Sequence, residues 1–228
     1  MEGKDIVKGL ICKGKQYSEN TAEKWQRDWV GNSKAIFSCH GASNHSNTER
    51  QTEDYYATPD IATEELCKLE QFSKEILEPA CGQGAISKVL EKHGYVVESR
   101  DLIDRGYGQG SMDFLQYNEP IDKDIVTNVP YSVGAEFVEH AMDLLTDGHK
   151  AAFFLKLTFL EGEKRRRLFE KYPPERIYVS VSRIDCAKNG EFKLDKNGNQ
   201  KHSGGAVCYC WMVFRKGFKG KPTVDWFN

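Results

Sequence analysis

The stretch 75-EILEPACGQGAISKVLEKHGYVVES-99 decides the fold. It opens with a short apolar strand, continues through a turn that contains two glycines, and then shows the apolar spacing of a helix that ends at Gly94. Residues 95–99 are predicted to form a second strand. A strand, a helix and a strand in this order predict a βαβ unit with parallel strands.

The same alternation extends on both sides of this unit. A helix is predicted to begin at Thr58 and Pro59, with Thr58 as its cap and Pro59 in its first turn. Later strands and helices are expected in alternation, and the last two strands are expected to add an antiparallel edge strand to a mostly parallel α/β sheet. The remaining predicted elements are strands at 124–128, 151–155, 176–184 and 206–214, and helices at 134–145 and 165–171.

The length of 228 residues fits one α/β domain with an N-terminal extension. We expect residues 1–50 to form an arm or a small cap, in which Trp25 and Trp29 share one face of a helix, and residues 51–228 to form the main domain. Within that domain the polar, glycine-rich segment 187–205 is a long loop, and loops of this length are often functional.

Composition excludes several classes of protein. No stretch approaches the roughly 18 apolar residues of a membrane span, and the N-terminus lacks the apolar core of a signal peptide, so a cytoplasmic protein is expected. The seven cysteines form no CxxC pair and are expected to be reduced thiols. Cys39, His40 and His45 lie close together, but no partner pair at zinc-finger spacing follows, and no metal site is predicted.

The net charge of -2 argues, taken alone, against a nucleic-acid partner. The charge is segregated, however: residues 51–155 carry a formal charge of -12 and residues 156–221 carry +9. This pattern is compatible with one face that binds a polyanion. It is equally compatible with solvated surfaces that intermix in the fold.

The turn with Gly82 and Gly84 lies where a nucleotide-type ligand binds outside the carboxyl ends of parallel strands. Glycines would let the backbone approach that ligand. The spacing is neither GxGxxG nor a phosphate-binding P-loop, which argues against NAD and against ATP hydrolysis. Asp101, about 20 residues further on, could bind ribose hydroxyls, and Asp113 with Phe114 could bracket a purine. A tight turn without a ligand is the alternative.

The segment 127-TNVPYS-132 closes another strand at the same edge of the sheet. Pro130 keeps Val129 extended, which would aim the Asn128 amide oxygen and the Val129 carbonyl at one point. Two acceptors suit the two hydrogens of an exocyclic amino group and leave its lone pair free to attack an electrophilic methyl group. Tyr131 offers a ring on which a flipped base can stack. The alternative is an asparagine-capped strand end with a buried tyrosine.

In this order and spacing the motifs resemble those of the amino-methyltransferases that act on DNA bases. The residues 78-EPACGQG-84 look like their cofactor motif, 128-NVPY-131 looks like their [DN]PP[YFW] catalytic motif, and 54-DYYATP-59 resembles their N-terminal cofactor-contacting segment. Residues 55–228 are similar to small phage and prophage adenine-N6 DNA methyltransferases. That similarity rests on 56-YATP-59, 78-EPACG-82, 101-DLIDRGYG-108 and 155-LKLTFLEG-162.

The resemblance implies a Rossmann-like class I methyltransferase fold and methyl transfer from S-adenosylmethionine to the N6 amino group of a flipped adenine in duplex DNA, with no metal. It also implies that Phe137 packs beside the target base. The cofactor-binding residues would be Thr58, Glu78, Ala80, Gly82, Gly84, Asp101, Asp113 and Phe114, and the catalytic residues Asn128, Val129, Pro130 and Tyr131.

One departure from the family pattern is Val129, where proline is usual. It keeps open a catalytically inactive DNA-binding member of the same fold. Cytosine N4 could be bound by the same two acceptors, and RNA or a protein glutamine amide are alternative substrates.

Several cations are expected to contact DNA phosphates because they follow strands that end at the proposed catalytic edge. The loop 187–205 is expected to contribute to target choice through its lysines and one histidine. The sequence defines no recognition site and no oligomeric state. The predicted DNA-binding residues are Lys156, Lys164, Arg165, Arg166, Arg167 and Lys188, and the remaining basic residues of the loop are Lys193, Lys196, Lys201 and His202.

Overall fold

The computed structural model describes residues 55–228 except 185, 193, 199 and 201–206. The predicted arm therefore lies outside the described residues. So do several side chains named above: Trp25, Trp29, Cys39, His40, His45, Lys193, Lys201 and His202.

The described residues alternate between strands and helices, as predicted. The strands are β1 (Tyr56–Ala57), β2 (Glu75–Glu78), β3 (Val96–Ser99), β4 (Asp124–Thr127), β5 (Lys150–Lys156), β6 (Arg176–Ser180), β7 (Ala187–Lys188), β8 (Tyr209–Arg215) and β9 (Thr223–Phe227). The helices are α1 (Asp60–Leu69), α2 (Ala85–Lys92), α3 (Gly134–Leu144) and α4 (Glu163–Lys171), and short 3-10 turns occupy Phe114–Gln116, Tyr131–Val133 and Leu157–Leu160. Among these described helices, none has the length and apolar character needed to cross a membrane.

Seven of the strands form one sheet in the order β3-β2-β4-β5-β8-β6-β9. Strands β3, β2, β4 and β5 are parallel to one another, whereas β8 is antiparallel to both β5 and β6. The mostly parallel α/β sheet with an antiparallel addition on one side is thus confirmed. The antiparallel strand lies between β5 and β6, and the outer edge on that side is β9, which runs parallel to β6 and was not predicted.

The core lies on both faces of the sheet, because side chains of the central strands alternate between them. Phe153 packs in the apolar cluster with α3, whereas its neighbour Phe154 packs in the cluster with α1 and α2. Trp211 of β8 is fully buried on the second face and donates its indole N–H to the Ala62 carbonyl at 2.8 Å. With both faces covered, the loops at the carboxyl ends of the strands are left to form a site.

The start of α1 differs from the prediction. Helix α1 begins at Asp60 with Pro59 as its N-cap residue, so the prediction of Thr58 as the cap was wrong. The Asp60 N–H donates to Gln200 Oε1 at 3.3 Å. The Thr58 hydroxyl instead accepts a hydrogen bond from Asn128 Nδ2 at 3.0 Å. A contact across 70 positions of the chain has replaced the local one that the sequence suggested.

The first residues of the segment 187–205 are held against the start of the domain. Strand β7 pairs antiparallel with β1, with Tyr56 opposite Lys188 and Ala57 opposite Ala187. The Asn189 N–H extends this ladder to the Tyr55 carbonyl at 2.9 Å. The segment predicted as a loop is therefore tied at its base to the residues that precede α1.

Candidate functional site

A cavity of about 340 Å³ opens at the edge where β2, β3 and β4 end. Its volume falls in the range of small-molecule sites, and ligands of α/β folds bind at this edge. Residues predicted from five separate segments line it together. These are Thr58, Glu78, Ala80, Asp101, Asp113, Phe114, Asn128, Val129, Pro130 and Tyr131.

The glycines of the turn after β2 do not line this cavity. Gly82 and Gly84 both have positive φ, at 57° and 78°. A Cβ on Gly82 would lie 2.1 Å from the Tyr55 ring, and a Cβ on Gly84 would lie 2.3 Å from the Tyr107 ring. Glycine is needed at both positions because aromatic rings pack directly on the turn. The sequence pattern had predicted that these glycines make room for a ligand.

Asp101 connects the end of β3 to the glycine turn. Its Oδ2 accepts a hydrogen bond from the Gly82 N–H at 2.7 Å, and its Oδ1 accepts one from the Ile103 N–H at 2.9 Å. An ionised carboxylate has about four acceptor positions, so two remain for a ligand. Asp101 thus shapes the turn and still presents acceptors at the cavity.

Glu78 is a buried carboxyl group at the end of β2. It accepts a hydrogen bond from the Ser87 hydroxyl, which lies 2.6 Å from the Ser99 hydroxyl. Burial raises the pKa of Glu78 to about 8, and the neighbouring charge of Asp101 acts in the same direction against the Ser87 hydrogen bond. The cavity therefore contains a carboxyl group that is mostly protonated at neutral pH.

The Asn128 amide is fixed in orientation at the end of β4. Its Nδ2 donates to the Tyr56 carbonyl and to the Thr58 hydroxyl, both at 3.0 Å. A carbonyl can only accept, so the nitrogen must face Tyr56 and the oxygen must point the other way. That Oδ1 atom is buried and has no hydrogen-bond partner among the described residues. A buried acceptor left unpaired costs about 1–3 kcal/mol, which marks Asn128 as a group that awaits a donor.

Tyr131 lies beside this amide, with its ring between other side chains. The Lys156 Nζ atom lies 4.3 Å from the ring centroid, and the Tyr56 ring centroid lies at 5.8 Å. The Tyr131 hydroxyl donates to the Tyr209 hydroxyl at 3.4 Å. Burial raises the pKa of Tyr131 above its ordinary value, so the phenol stays neutral and the ring can act as a stacking surface.

Asp113 and Phe114 line the cavity at the start of the 3-10 turn Phe114–Gln116. Asp113 Oδ1 accepts from the Leu115 N–H at 3.0 Å and so begins a 3-10 turn. Phe114 is buried against Phe137, with ring centroids 4.6 Å apart. Phe137, which was expected beside the target base, thus supports Phe114.

Arg105 and Tyr55 were not among the predicted site residues, although Tyr55 belongs to the 54-DYYATP-59 segment quoted above. The Arg105 guanidinium stacks on the Tyr55 ring at 4.7 Å, and Tyr55 Oη accepts a hydrogen bond from the Gln83 N–H at 3.1 Å. Both residues line the cavity. The sequence feature that could have indicated Arg105 is its position within 101-DLIDRGYG-108, four residues after the strand-end aspartate Asp101.

The predicted DNA-binding cations differ in their surroundings. Arg165 donates to the carbonyls of Glu161 at 2.8 Å and Thr158 at 3.2 Å, so it holds the turn before α4. Lys188 is exposed on β7, and Lys156 lies over Tyr131 as described. The other predicted DNA-binding cations of α4 are exposed and form what we call the basic face: Lys164, Arg166 and Arg167.

The cysteines in the described part of the chain are all free thiols. Across the described ranges, no three His, Cys, Asp or Glu side chains come together in a group that could hold a metal ion.

No protein-family model and no curated protein matches the sequence. Solved structures do match. A protein assigned as a hemolysin from Lactococcus lactis has a TM-score of 0.51 at 12% identity, over 73% of this chain and 91% of that one. A protein assigned as a class I S-adenosylmethionine-dependent methyltransferase from Listeria monocytogenes has a TM-score of 0.50 at 17% identity, over 86% and 71%.

A third similar structure is a modification subunit assigned to a type I restriction enzyme from Vibrio vulnificus. Its TM-score is 0.50 at 12% identity, and the match covers 89% of this chain but 48% of that subunit. The chain has the Rossmann-like fold of the class I methyltransferases. At these identities the similarity establishes this fold, and the function has to be argued from the site itself.

Proposed function

We propose that this protein transfers a methyl group from S-adenosylmethionine to the exocyclic N6 amino group of adenine in DNA. The observation that carries the proposal is the Asn128 amide. Its nitrogen is held by Tyr56 and Thr58, while its buried oxygen has no partner in the part of the chain that the structure describes. An acceptor fixed in this way suits an amino group that must be oriented before it reacts.

The residues of the cavity fit S-adenosylmethionine. The carboxyl groups that line the cavity suit the ribose hydroxyls and the cationic groups of this cofactor, and the buried Phe114 ring suits its adenine. When bound, this cofactor supplies an electrophilic methyl group on a sulfonium. The match of the fold to a structure assigned as an S-adenosylmethionine-dependent methyltransferase supports the same cofactor.

The residues of this chain would orient the target base. Asn128 Oδ1 accepts one hydrogen of the amino group, and the Val129 carbonyl accepts the other, which leaves the nitrogen lone pair free to attack. The contribution of Val129 comes from its backbone, so valine in place of the usual proline preserves it. The Tyr131 ring stacks on the base once the base has left the duplex.

DNA as the substrate is supported by the positions of the cations. The basic face belongs to α4, which follows the carboxyl end of β5, and Lys156 ends that strand beside Tyr131. Exposed cations next to a base pocket suit phosphate contacts, which supply most non-specific affinity for DNA. The similar modification subunit of a restriction enzyme from Vibrio vulnificus agrees with this substrate class.

The test is methyl transfer from labelled S-adenosylmethionine to unmethylated DNA, RNA and protein, followed by mass spectrometry of the products. We expect N6-methyladenine in DNA. Asn128→Ala and Tyr131→Ala should each reduce transfer by at least about 100-fold, the scale seen when one preorganised polar group is removed from an active site. The matched control Asn118→Ala, at an exposed asparagine whose amide contacts the Gln116 carbonyl, should retain activity.

Each other outcome has a defined reading. Transfer that neither variant affects would overturn the assignment of the site. N4-methylcytosine, or transfer to RNA or protein alone, would replace the substrate. DNA binding without any transfer would identify an inactive member of the fold.

A further inference from the structure

The charges that line the cavity are unbalanced in number. Three carboxyl groups line it, those of Glu78, Asp101 and Asp113, but Arg105 is the one lysine, arginine or histidine among the described lining residues. Asp101 and Asp113 already accept backbone hydrogen bonds. None of the three is paired with the arginine.

Arg105 has no anionic partner within the part of the chain that the structure describes. No ion pair there includes it, and its Nε atom is buried without a hydrogen-bond partner. A buried, charged donor without a partner is costly, and such groups in folded proteins are usually paired. The described residues therefore leave this position without the anion that would pair with it.

The guanidinium is also held in a defined orientation. The guanidinium carbon lies over the Tyr55 ring, 4.7 Å from its centroid, and Tyr55 is itself fixed by the Gln83 N–H and by contact with Gly82. A guanidinium that contacts a ring through its face keeps its N–H edge for in-plane hydrogen bonds. That edge matches the geometry of a carboxylate, which it can bind through two parallel hydrogen bonds.

We propose that Arg105 binds the carboxylate of the methionine part of S-adenosylmethionine and makes the site selective for ligands that carry this group. The inference rests on the proposed function for its ligand. The methionine carboxylate is the one anion of that ligand, whereas its ammonium and sulfonium groups are cations. Because Glu78 is held mostly neutral, the carboxyl groups of Asp101 and Asp113 and the single guanidinium of the cavity mirror this distribution of charge.

Arg100 provides a matched comparison within the same strand end. Its guanidinium also stacks on a tyrosine ring, that of Tyr117 at 4.9 Å. It is, however, paired with the Glu98 carboxylate, and it does not line the cavity. A loss of ligand affinity that occurs on replacing Arg105 but not Arg100 would thus reflect the position of Arg105 in the cavity rather than the removal of an arginine packed on a tyrosine ring.

The experiment is titration calorimetry of the full chain with S-adenosylhomocysteine and with its decarboxylated analogue. Arg105→Gln should weaken S-adenosylhomocysteine binding about 10- to 100-fold, the effect of losing a hydrogen bond to a charged group, and change binding of the analogue less than about threefold. Arg105→Lys should fall between wild type and Arg105→Gln. Arg100→Gln should leave both affinities unchanged.

The ratio of the two affinities is measured within each sample, so a partly unfolded variant does not alter it. An equal loss for both ligands, or no loss for either, would overturn the proposal while leaving the proposed function intact. A loss of DNA affinity in Arg105→Gln with an unchanged ratio of the two ligand affinities would also overturn the proposal, because it would indicate that Arg105 binds a DNA phosphate. A wild-type chain that binds neither ligand would overturn the proposed function itself, and this inference with it.

Discussion

Replacing Glu78 by glutamine should remove a pH dependence of stability that originates inside the cavity. Glu78 is 1% exposed, and its pKa is raised from an ordinary 4.5 to about 8. Between these two values the folded protein holds a proton on Glu78 that the unfolded chain has lost. The favourable contribution of the neutral carboxyl is therefore complete below about pH 4.5 and is lost as the pH rises towards 8.

The magnitude follows from that one proton. Stability changes by about 1.4 kcal/mol per pH unit for each proton that only one of the two states binds. From pH 5.5 to pH 7.5, wild type should therefore lose about 2.7 kcal/mol relative to Glu78→Gln. The glutamine can still accept from Ser87, so the hydrogen bond is kept while the titration is removed.

The assay is urea unfolding of both proteins at pH 5.5, 6.5 and 7.5 and fixed ionic strength, followed by circular dichroism. Taking the difference between the two proteins cancels the titration of every other group. Calorimetric unfolding in buffers of different ionisation enthalpy provides an independent control, because wild type should release about one more proton than the variant at pH 6.5. A difference in stability that stays constant over the three pH values would refute the reasoning and show that Glu78 is ionised in the folded protein.

Two further predictions concern the turn and the basic face. Gly82→Ala should destabilise the protein by about 2–4 kcal/mol in urea unfolding, because the added methyl group collides with the Tyr55 ring and alanine disfavours the positive φ. Gly94→Ala is the control: Gly94 also has a positive φ but open space around it, so the substitution should cost only about 1–2 kcal/mol. Equal losses of stability in the two variants would contradict the packing argument. Replacing the three cations of the basic face by alanine should reduce the magnitude of the slope of log affinity for DNA against log salt concentration by about 2–3. The double variant Lys219→Ala with Lys221→Ala, near the start of β9, should change this slope little. An unchanged slope in the α4 variant would show that α4 does not contact DNA.

The parts of the fold that were predicted correctly rest on local signals. The βαβ unit around the glycine turn and the strand that ends before Asn128 follow from short-range apolar spacing and from Gly and Pro. The bounds of α2 and β4 differ from the prediction by one residue at one end. Strand β9 was missed because it is mostly exposed and carries no apolar run.

The site was predicted less completely, because long-range contacts decide its details. Thr58 was expected to cap a helix but accepts from Asn128, which is 70 positions away. The reason for Gly82 lies in the ring of Tyr55, and no spacing rule relates those two residues. Arg105 becomes informative only when its neighbours show that it lacks an anion. Each of these facts depends on which segments the sheet brings together.

The two-residue ladder between β1 and β7 limits how the chain can change in evolution. Tyr56 pairs with Lys188 on one side and holds the Asn128 amide through its carbonyl on the other. Inserting or deleting one residue within β7 would slip the pairing by one and exchange the side chains on the two faces of β7. Length variation beyond Gly190 leaves the ladder intact, so relatives of this protein should differ by insertions after Gly190 and keep a constant spacing before it.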